Sequence, residues 1–302
     1  PEINMRQAMV PKGAAVIPQR RGTAPGLICP VGDKVIYVVP GVPFELYEMF
    51  ERAILPDLLA RSGSQSVIAS RTLRTWGESE SGLNERLHDL IAELDRVGNP
   101  TLAFLASGWE GIKVRLTAKA DSNDAVRRLL DDWDGRVRDV VGDVVFGVDG
   151  DTMESVVLDL MRTMGLTLGL AESVTGGLVA GRLTDVPGSS DVLRGSIVSY
   201  ASEVKFDVLG VTPGPVVSES TAIEMATGAK RVLGSDVGLA LTGVAGPSDQ
   251  DGVKPGTLCV GLAMPDGSTQ SRTLQLPGVR DQMRQLSVIS ALDFLRRALS
   301  EK

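Results

Sequence analysis

Histidine and cysteine are scarce in this sequence, which contains one histidine, His88, and two cysteines, Cys29 and Cys259. These counts exclude the usual zinc site of three or four nitrogen and sulfur ligands, although carboxylate sites for magnesium stay open. The cysteines lie far apart within apolar segments, so we expect buried reduced thiols and no disulfide. A reducing, cytoplasmic location is therefore expected.

Long apolar runs and clusters of positive charge are also missing. No apolar run approaches the roughly 20 residues that a bilayer span requires, and the opening residues are too polar for a signal peptide. The net charge is −7, and adjacent basic residues form no group longer than a pair, as in Gln-Arg-Arg. This balance disfavours nucleic acid as a partner, because binding to phosphate backbones needs many basic contacts. The sequence predicts a globular protein without a membrane partner.

The order of strand and helix patterns divides the chain into three blocks, 1–62, 63–147 and 148–302. The first combines a β-branched strand at 35–39 with an amphipathic helix, so we expect it to pack on its neighbours or to lack its N-terminal half. The second predicts a strand in SVIASRTLRTWG, one helix in SESGLNERLHDLIAEL with Ser79 or Ser81 as its cap, a strand in GIKVRLTAKA, a second helix and an edge strand in DVVFG. This pattern is that of a small α+β module. The third alternates helices and strands throughout, which predicts an α/β fold with a three-layer sandwich.

Residues 166–186, LTLGLAESVTGGLVAGRLTDV, contain the first candidate for chemistry. An apolar strand ends at a Glu-Ser pair, and glycines then open a helical segment. If that helix begins near Thr175-Gly176-Gly177, Ser173 lies beside free backbone N–H groups at its positive end, where an anion or oxyanion can bind. The alternative, commoner for a serine at such a position, is that Ser173 or Thr175 only caps the helix.

The stretch SIVSYASEVKFDVLG contains a candidate base. Its strand is predicted to end at Tyr200, and Ser202 is predicted to cap a helix whose first turn contains Lys205. A cation there opposes the helix dipole, which favours the neutral amine. The third block has no histidine for a Ser-His-Asp triad, so Ser173 with Lys205, assisted by Tyr200, is the available way to activate a hydroxyl. The alternative is an exposed lysine that extends into water.

Two further stretches offer ligand-binding groups. In LALTGVAGPSDQDGVKPGT, Thr242, Gly243 and Gly246 would allow backbone to approach a ligand, and Lys254 could meet a phosphate. In LPGVRDQMRQ, Arg280 precedes a helix start and suits a phosphate or a carboxylate. Each stretch also has an ordinary structural explanation, since glycine-rich loops between strands are common and a surface arginine often lies near an acidic cap.

Together these stretches resemble the C-terminal domain of the CinA family, the nicotinamide mononucleotide deamidases. The shared motifs run in the family's order over residues 150–300 and include AESVTGG, VPGSS, GSIVSYASEVKFDVLGV, VSESTAIEMATGAK, LALTGVAGP, KPGTLCVGLA and PGVRDQMR. The resemblance implies hydrolysis of the carboxamide of nicotinamide mononucleotide, without a cofactor, to nicotinic acid mononucleotide and ammonia in pyridine nucleotide salvage. It also implies Ser173 as nucleophile, with Tyr200 and Lys205 activating it.

The predicted substrate-binding set combines the junction after Ser173 with positions carried over from the matching motifs. Its members are Thr175, Gly176, Gly177, Thr242, Gly243, Gly246 and Arg280. The family's usual cysteine after the serine is Val174 here, so no thiol acts at that position. Family members of this architecture are usually dimers, so a homodimer is expected.

The upstream stretches GAAVIPQRRGTAPG and VVPGVPFELYEMF resemble the second half of the family's N-terminal domain, which is similar to molybdopterin-biosynthesis proteins of the MoaB and MogA type. In the family this domain is associated with ADP-ribose pyrophosphatase activity that uses a divalent metal. Half of the expected site is missing, so we do not expect that activity, and a metal would be needed only if the domain were complete.

Residues 63–147 resemble the family's KH-type connector. Their Gly-Trp-Glu-Gly stretch precedes a strand, whereas the nucleic-acid clamp of a KH domain joins two helices, so we predict a simple turn. An alternative to the deamidase is a nucleotide-binding protein linked to competence or DNA damage, in which the deamidase residues are vestigial.

Overall fold

The computed structural model describes residues 9–20, 22, 24–63, 66–106 and 108–300. The chain divides into two compact units, Pro1–Val67 and Ile68–Lys302. Helices and sheets are mixed in both units, which confirms the predicted α/β class. Within the described ranges, no helix is long and apolar enough to cross a bilayer.

The first unit contains a small antiparallel sheet followed by consecutive helical segments. The strands lie in the order β1 (Ala15–Ile17), β2 (Gly26–Val31) and β3 (Lys34–Val38). The helical segments are α1 (Pro43–Met49), a π-helical stretch (Phe50–Ile54) and α2 (Leu55–Ser62). The sequence predicted β3 and the helix only. β1 has three residues and β2 contains Gly26 and Pro30, so neither presents a clear alternating pattern.

The second unit begins with a four-stranded sheet in the order β5-β6-β4-β7. Its elements are β4 (Val67–Thr75), α3 (Glu80–Arg86), α4 (His88–Val97), β5 (Thr101–Ala106), β6 (Ile112–Ala120), α5 (Asn123–Val141) and β7 (Val145–Val148). The predicted edge strand is confirmed as β7, and Ser79 caps α3 by accepting a hydrogen bond from the Gly82 N–H. β5 was missing from the prediction, and the single predicted helix is divided in two at Leu87.

The Gly-Trp-Glu-Gly stretch, residues 108–111, lies between the antiparallel strands β5 and β6. Gly108 and Gly111 both have positive φ, and a Cβ at Gly111 would lie 2.2 Å from the carbonyl oxygen of Thr75. Between them, the Glu110 carboxylate contacts the Arg74 guanidinium at 2.7 Å. The stretch thus connects two neighbouring strands and contacts Arg74 and Thr75 of β4, which confirms the predicted turn.

The rest of the second unit is a three-layer sandwich around a five-stranded sheet in the order β12-β11-β10-β8-β9. β8 is parallel to both β9 and β10, and β11 and β12 add antiparallel strands at one edge. The elements are α6 (Met153–Met164), β8 (Leu168–Glu172), α7 (Leu178–Thr184), a 3-10 turn (Ser189–Asp191), β9 (Leu193–Val198), α8 (Ser202–Asp207), α9 (Glu219–Leu233), β10 (Val237–Gly243), β11 (Thr257–Ala263), β12 (Thr269–Gln275) and α10 (Arg280–Ser300).

Successive strand residues point to opposite faces of this sheet, and the side chains on the two faces differ in size. Large residues such as Leu168 and Leu170 pack with α6, α7 and α10 in the main core. Glycine and alanine occupy the opposite face, under α9. A Cβ at Gly238 would lie 2.0 Å from the carbonyl oxygen of Ala226 in α9. The backbone of α9 therefore rests directly on the sheet.

Substitution of Gly238 tests this close approach. We expect Gly238→Ala to lower the free energy of unfolding by about 1–3 kcal/mol, because the added methyl group would force α9 away from the sheet. The midpoint of urea unfolding measures the change. The matched control is Gly135→Ala, at an exposed position within α5 with no atom near the added Cβ, where a gain of about 0.5–1 kcal/mol is expected. Equal midpoints for Gly238→Ala and the parent would contradict the packing argument.

Candidate active site

A cavity of about 410 Å³ lies at the carboxyl ends of the parallel strands of the five-stranded sheet. Open α/β sheets commonly bind ligands at this edge, because the loops that follow neighbouring strands converge there. Of the predicted site residues, the cavity is lined by Ser173, Tyr200, Lys205, Thr242, Gly243, Gly246 and Arg280. Three others, Thr175, Gly176 and Gly177, do not line it.

Lys205 is the largest buried polar side chain of the cavity, with 2% of its surface exposed. Its Nζ donates a hydrogen bond to the carbonyl oxygen of Ser199 at 2.7 Å. No carboxylate in the described part of the chain lies within ion-pair distance of this nitrogen. Burial lowers the pKa of Lys205, and the charge of Glu203 opposes this effect only in part. The cavity therefore favours a neutral amine.

The sequence predicted a neutral amine at Lys205 because of the helix dipole, and this cause is wrong. Ala201 is the N-cap of α8 and makes no side-chain capping bond, so Ser202 is the first helical residue and not the cap. Lys205 lies in the last turn, because α8 has only six residues. A helix dipole favours a cation there, so the depression of the lysine pKa comes from burial. The alternative of an exposed lysine is also wrong, because the side chain is buried.

Ser173 follows β8 directly and opens onto the cavity. Its backbone N–H donates to the carbonyl oxygen of Leu241 in β10 at 3.0 Å, and its own carbonyl accepts from Gly176 N–H at 3.1 Å. The N-cap of α7 is Gly177, so neither Ser173 nor Thr175 caps that helix. The Ser173 side chain therefore has no capping role.

The N–H groups at the start of α7 are not free, which corrects the prediction that they bind an anion. The Glu172 carboxylate accepts hydrogen bonds from the N–H groups of Gly177, Val179 and Ala180 at 2.9–3.0 Å. The remaining N–H, of Leu178, donates to the carbonyl oxygen of Thr175. The residue immediately before Ser173 thus occupies the positive end of this helix, so these N–H groups are not available to an anionic ligand.

Arg280 and Tyr200 form the exposed rim of the cavity. The Arg280 guanidinium donates to the Tyr200 hydroxyl at 2.7 Å and to the carbonyl oxygen of Gly246 at 3.1 Å. Both acceptors are neutral, and in the described chain no carboxylate pairs with this arginine. The rim therefore presents a positive charge that an anionic ligand can neutralise.

Thr242 and the two loop glycines supply backbone to the cavity wall. Thr242 is buried, and its hydroxyl donates to the carbonyl oxygen of Val216 at 2.6 Å. A Cβ at Gly243 would lie 2.4 Å from the carbonyl oxygen of Thr257, so strand packing requires glycine there. Gly246 has a φ of +81°, a conformation that also favours glycine.

Other predicted residues lie away from the cavity, and some lining residues were not predicted. Lys254 is not among the lining residues. His88 is exposed beside Asp89 and lies away from the cavity. The residues that sequence reasoning missed are Val174, Val216, Val217, Val244, Ala245, Ser248, Asp249 and Gln250. Most belong to loops, where no periodic pattern indicates which side chain faces a cavity.

These observations define a three-layer α/β protein in which a serine and a buried lysine open onto one cavity. The CinA C-terminal domain model matches residues 150–299, and the model of the damage-inducible protein CinA KH domain matches residues 70–147. The chain belongs to the CinA family, as the sequence predicted.

Two relatives with more than 30% sequence identity support the same assignment. The CinA-like protein of Frankia casuarinae is 48% identical, over 99% of this chain and 70% of its own length. The CinA-like protein of Kosmotoga olearia is 38% identical, over 99% of this chain and 72% of its own length. Among solved structures, the competence or damage-inducible protein from Enterobacter asburiae is 29% identical and aligns with a TM-score of 0.47, covering 50% of this chain and 99% of its own.

The burial of Lys205 predicts a pH dependence of stability. A lysine whose pKa is lower in the folded chain binds fewer protons there, so stability rises with pH from the folded pKa to the unfolded value of about 10.4. Below that window, the unpaired ammonium destabilises the fold. We expect Lys205→Met to raise the free energy of unfolding at neutral pH by about 1–3 kcal/mol and to flatten this dependence.

Urea unfolding at a series of pH values from 6 to 10 measures the effect. The matched control is Lys119→Met, at an exposed position in β6, which should leave the slope unchanged. A parent protein whose stability falls with rising pH across this range, with Lys205→Met falling equally, would contradict the assignment.

Proposed function

We propose that this protein hydrolyses the carboxamide of nicotinamide mononucleotide, releasing ammonia and nicotinic acid mononucleotide. The observation that supports this proposal is that Ser173 and Lys205, which are far apart in the sequence, line the same cavity. A serine hydroxyl is a weak nucleophile until a base removes its proton, and a buried, uncharged lysine is a suitable base. The cavity volume also falls within the range of about 300–1,000 Å³ that is typical of small-molecule sites.

In the first half of the reaction, the Lys205 amine accepts the proton of the Ser173 hydroxyl as Oγ attacks the carboxamide carbon. The resulting ammonium then gives its proton to the nitrogen that leaves as ammonia, and an acyl-serine remains. In the second half, Lys205 takes a proton from water, which attacks the ester and releases the carboxylic acid. The proton returns to Ser173, so the protein is regenerated.

The negative oxygen of each tetrahedral intermediate needs hydrogen-bond donors outside α7. The N–H of Val174, the residue after the nucleophile, has no hydrogen-bond partner among the described residues, and Val174 lines the cavity. In serine hydrolases with the nucleophile on a strand-to-helix turn, the N–H of this residue contributes to the oxyanion hole. We assign the Val174 N–H that role.

Arg280 suits the 5′-phosphate of the nucleotide, because a guanidinium binds phosphate through two parallel hydrogen bonds. Its position on the rim would hold the phosphate at the mouth while the carboxamide reaches Ser173. The Tyr200 hydroxyl accepts a hydrogen bond from Arg280, so its own proton stays available to the substrate or to Ser173. No observation on the described residues favours the pyrophosphatase or the nucleic-acid alternative.

Removing the nucleophile tests the proposed chemistry. We expect Ser173→Ala to lower kcat for release of ammonia from nicotinamide mononucleotide by about 10³-fold or more, because no acyl-serine can form. A coupled assay for ammonia measures the rate. Ser268→Ala, in the exposed hairpin turn between β11 and β12, is the matched control and should keep full activity. Undiminished activity in Ser173→Ala would exclude this mechanism.

A comparison of two substrates tests the role of Arg280. Arg280→Met should lower kcat/KM for nicotinamide mononucleotide about 10- to 100-fold, equivalent to the roughly 1.5–3 kcal/mol of a charged hydrogen bond. Nicotinamide riboside lacks the phosphate, so the same substitution should change its kcat/KM by less than about threefold. An equal loss on both substrates would show that Arg280 acts through Tyr200 and not on the phosphate.

A further inference from the structure

Glu172 is a fully buried carboxylate at the end of β8, immediately before Ser173. Its two oxygens accept five hydrogen bonds, which come from Thr175 Oγ1, Gly177 N, Val179 N, Ala180 N and Ser196 Oγ at 2.8–3.0 Å. Within the described ranges, no lysine or arginine lies within ion-pair distance of it. Neutral donors and the positive end of α7 therefore provide the whole compensation for its charge.

The side chain of Glu172 closes the turn that carries Ser173. Gly176 and Gly177, at the end of this turn, have φ values of +62° and +95°, a left-handed conformation that directs the chain back towards the carboxylate. The bonds to Gly177, Val179 and Ala180 then hold the start of α7 against the end of β8.

The backbone of Glu172 reaches the second reacting group. Its carbonyl oxygen accepts a hydrogen bond from the Ser199 N–H at 2.8 Å, and the Ser199 carbonyl accepts the bond from Lys205 Nζ at 2.7 Å. Glu172 thus contacts both parts of the site. Its side chain binds the turn that carries Ser173, and its main chain binds Ser199, whose carbonyl oxygen accepts the hydrogen bond from Lys205. A change in the rotamer or charge of Glu172 would alter the relative position of the two groups.

We propose that Glu172 is the positioning residue of this site, whose carboxylate holds the Ser173 turn in register with Lys205. The proposal rests on the proposed function, because it concerns the same serine and lysine. Glu172 touches neither the cavity nor the reacting atoms, so its effect passes through the turn. It differs from a purely stabilising residue in acting on kcat more than on KM, because the Arg280 guanidinium, which would bind the phosphate, contacts Gly246 and Tyr200 and not this turn.

The test is Glu172→Gln, which keeps the shape of the side chain but directs an NH₂ group at backbone N–H donors. At a temperature where the variant is fully folded by circular dichroism, we expect kcat for nicotinamide mononucleotide to fall about 100-fold and KM to stay within about threefold. The matched control is Glu154→Gln, which alters another buried carboxylate of the same sandwich, paired with Arg182 of α7 at 2.5 Å. Glu154→Gln should lower the Tm but keep kcat within about threefold.

A second readout separates this proposal from the proposed function. Labelling of Ser173 by a fluorophosphonate probe, followed by intact-mass spectrometry, reports the position of the nucleophile without nicotinamide mononucleotide. We expect the parent and Glu154→Gln to label at similar rates, Glu172→Gln at least tenfold more slowly, and Ser173→Ala not at all. If the parent labels but does not hydrolyse the nucleotide, the proposed substrate is wrong and the positioning role still stands on the labelling rates.

Two outcomes would overturn the positioning role. One is a Glu172→Gln protein that labels and turns over like the parent. The other is a loss of kcat and of labelling in Glu154→Gln equal to that in Glu172→Gln, which would make the effect one of general stability. If Glu172→Gln does not fold, Ser196→Ala removes one of the five hydrogen bonds and should lower kcat about three- to tenfold with KM unchanged. Full kcat in Ser196→Ala would then count against the proposal.

Discussion

The burial of the Lys205 amine without a countercharge is the constraint on which the site depends. An ammonium in this position would lose most of its hydration and gain only one carbonyl oxygen in return, so the fold favours the uncharged form. That penalty lowers the pKa of the lysine, and it also makes the site a source of instability. The large apolar core between the sheet and the helices α6, α7 and α10 contributes stability that opposes this penalty.

Glu172 is a second buried ionisable residue in the same region, and its surroundings differ from those of Lys205. Five donors surround its carboxylate, so this charge is well solvated by the protein, whereas the lysine is not. The difference follows from local geometry, because the start of a helix offers several unpaired N–H groups to a nearby anion. Among the residues that the structure describes, Lys205 Nζ has one hydrogen-bond acceptor, the carbonyl oxygen of Ser199. The hydrogen bonds of Glu172 therefore hold the turn, whereas the buried amine of Lys205 has little compensation for the loss of water.

Much of this arrangement could be predicted from particular residues. The run before Ser173, the glycines after it and the Tyr200 to Lys205 stretch indicated two strand ends in one domain, and parallel strands bring such ends to one edge of a sheet. Elements with weak periodicity were missed, such as β1, β2 and β5. The role of Glu172 was missed for another reason. Its partners lie at the start of α7 and on Ser196, and sequence spacing alone does not show whether a carboxylate turns towards a helix or towards solvent.

The sequence by itself determined the α/β class, the order of the main strands and helices, and the residue types available for chemistry, because periodicity and composition are properties of short stretches. Only the tertiary structure decided which acceptors the amides of α7 bind, where Lys205 lies in its helix, and that burial lowers the pKa of its amine. Those properties depend on burial and on hydrogen bonds between segments distant in the chain, such as Ser199 with Glu172. A dipole argument based on one predicted helix placed Lys205 in the wrong turn, because the surroundings of a side chain are set by the packed fold.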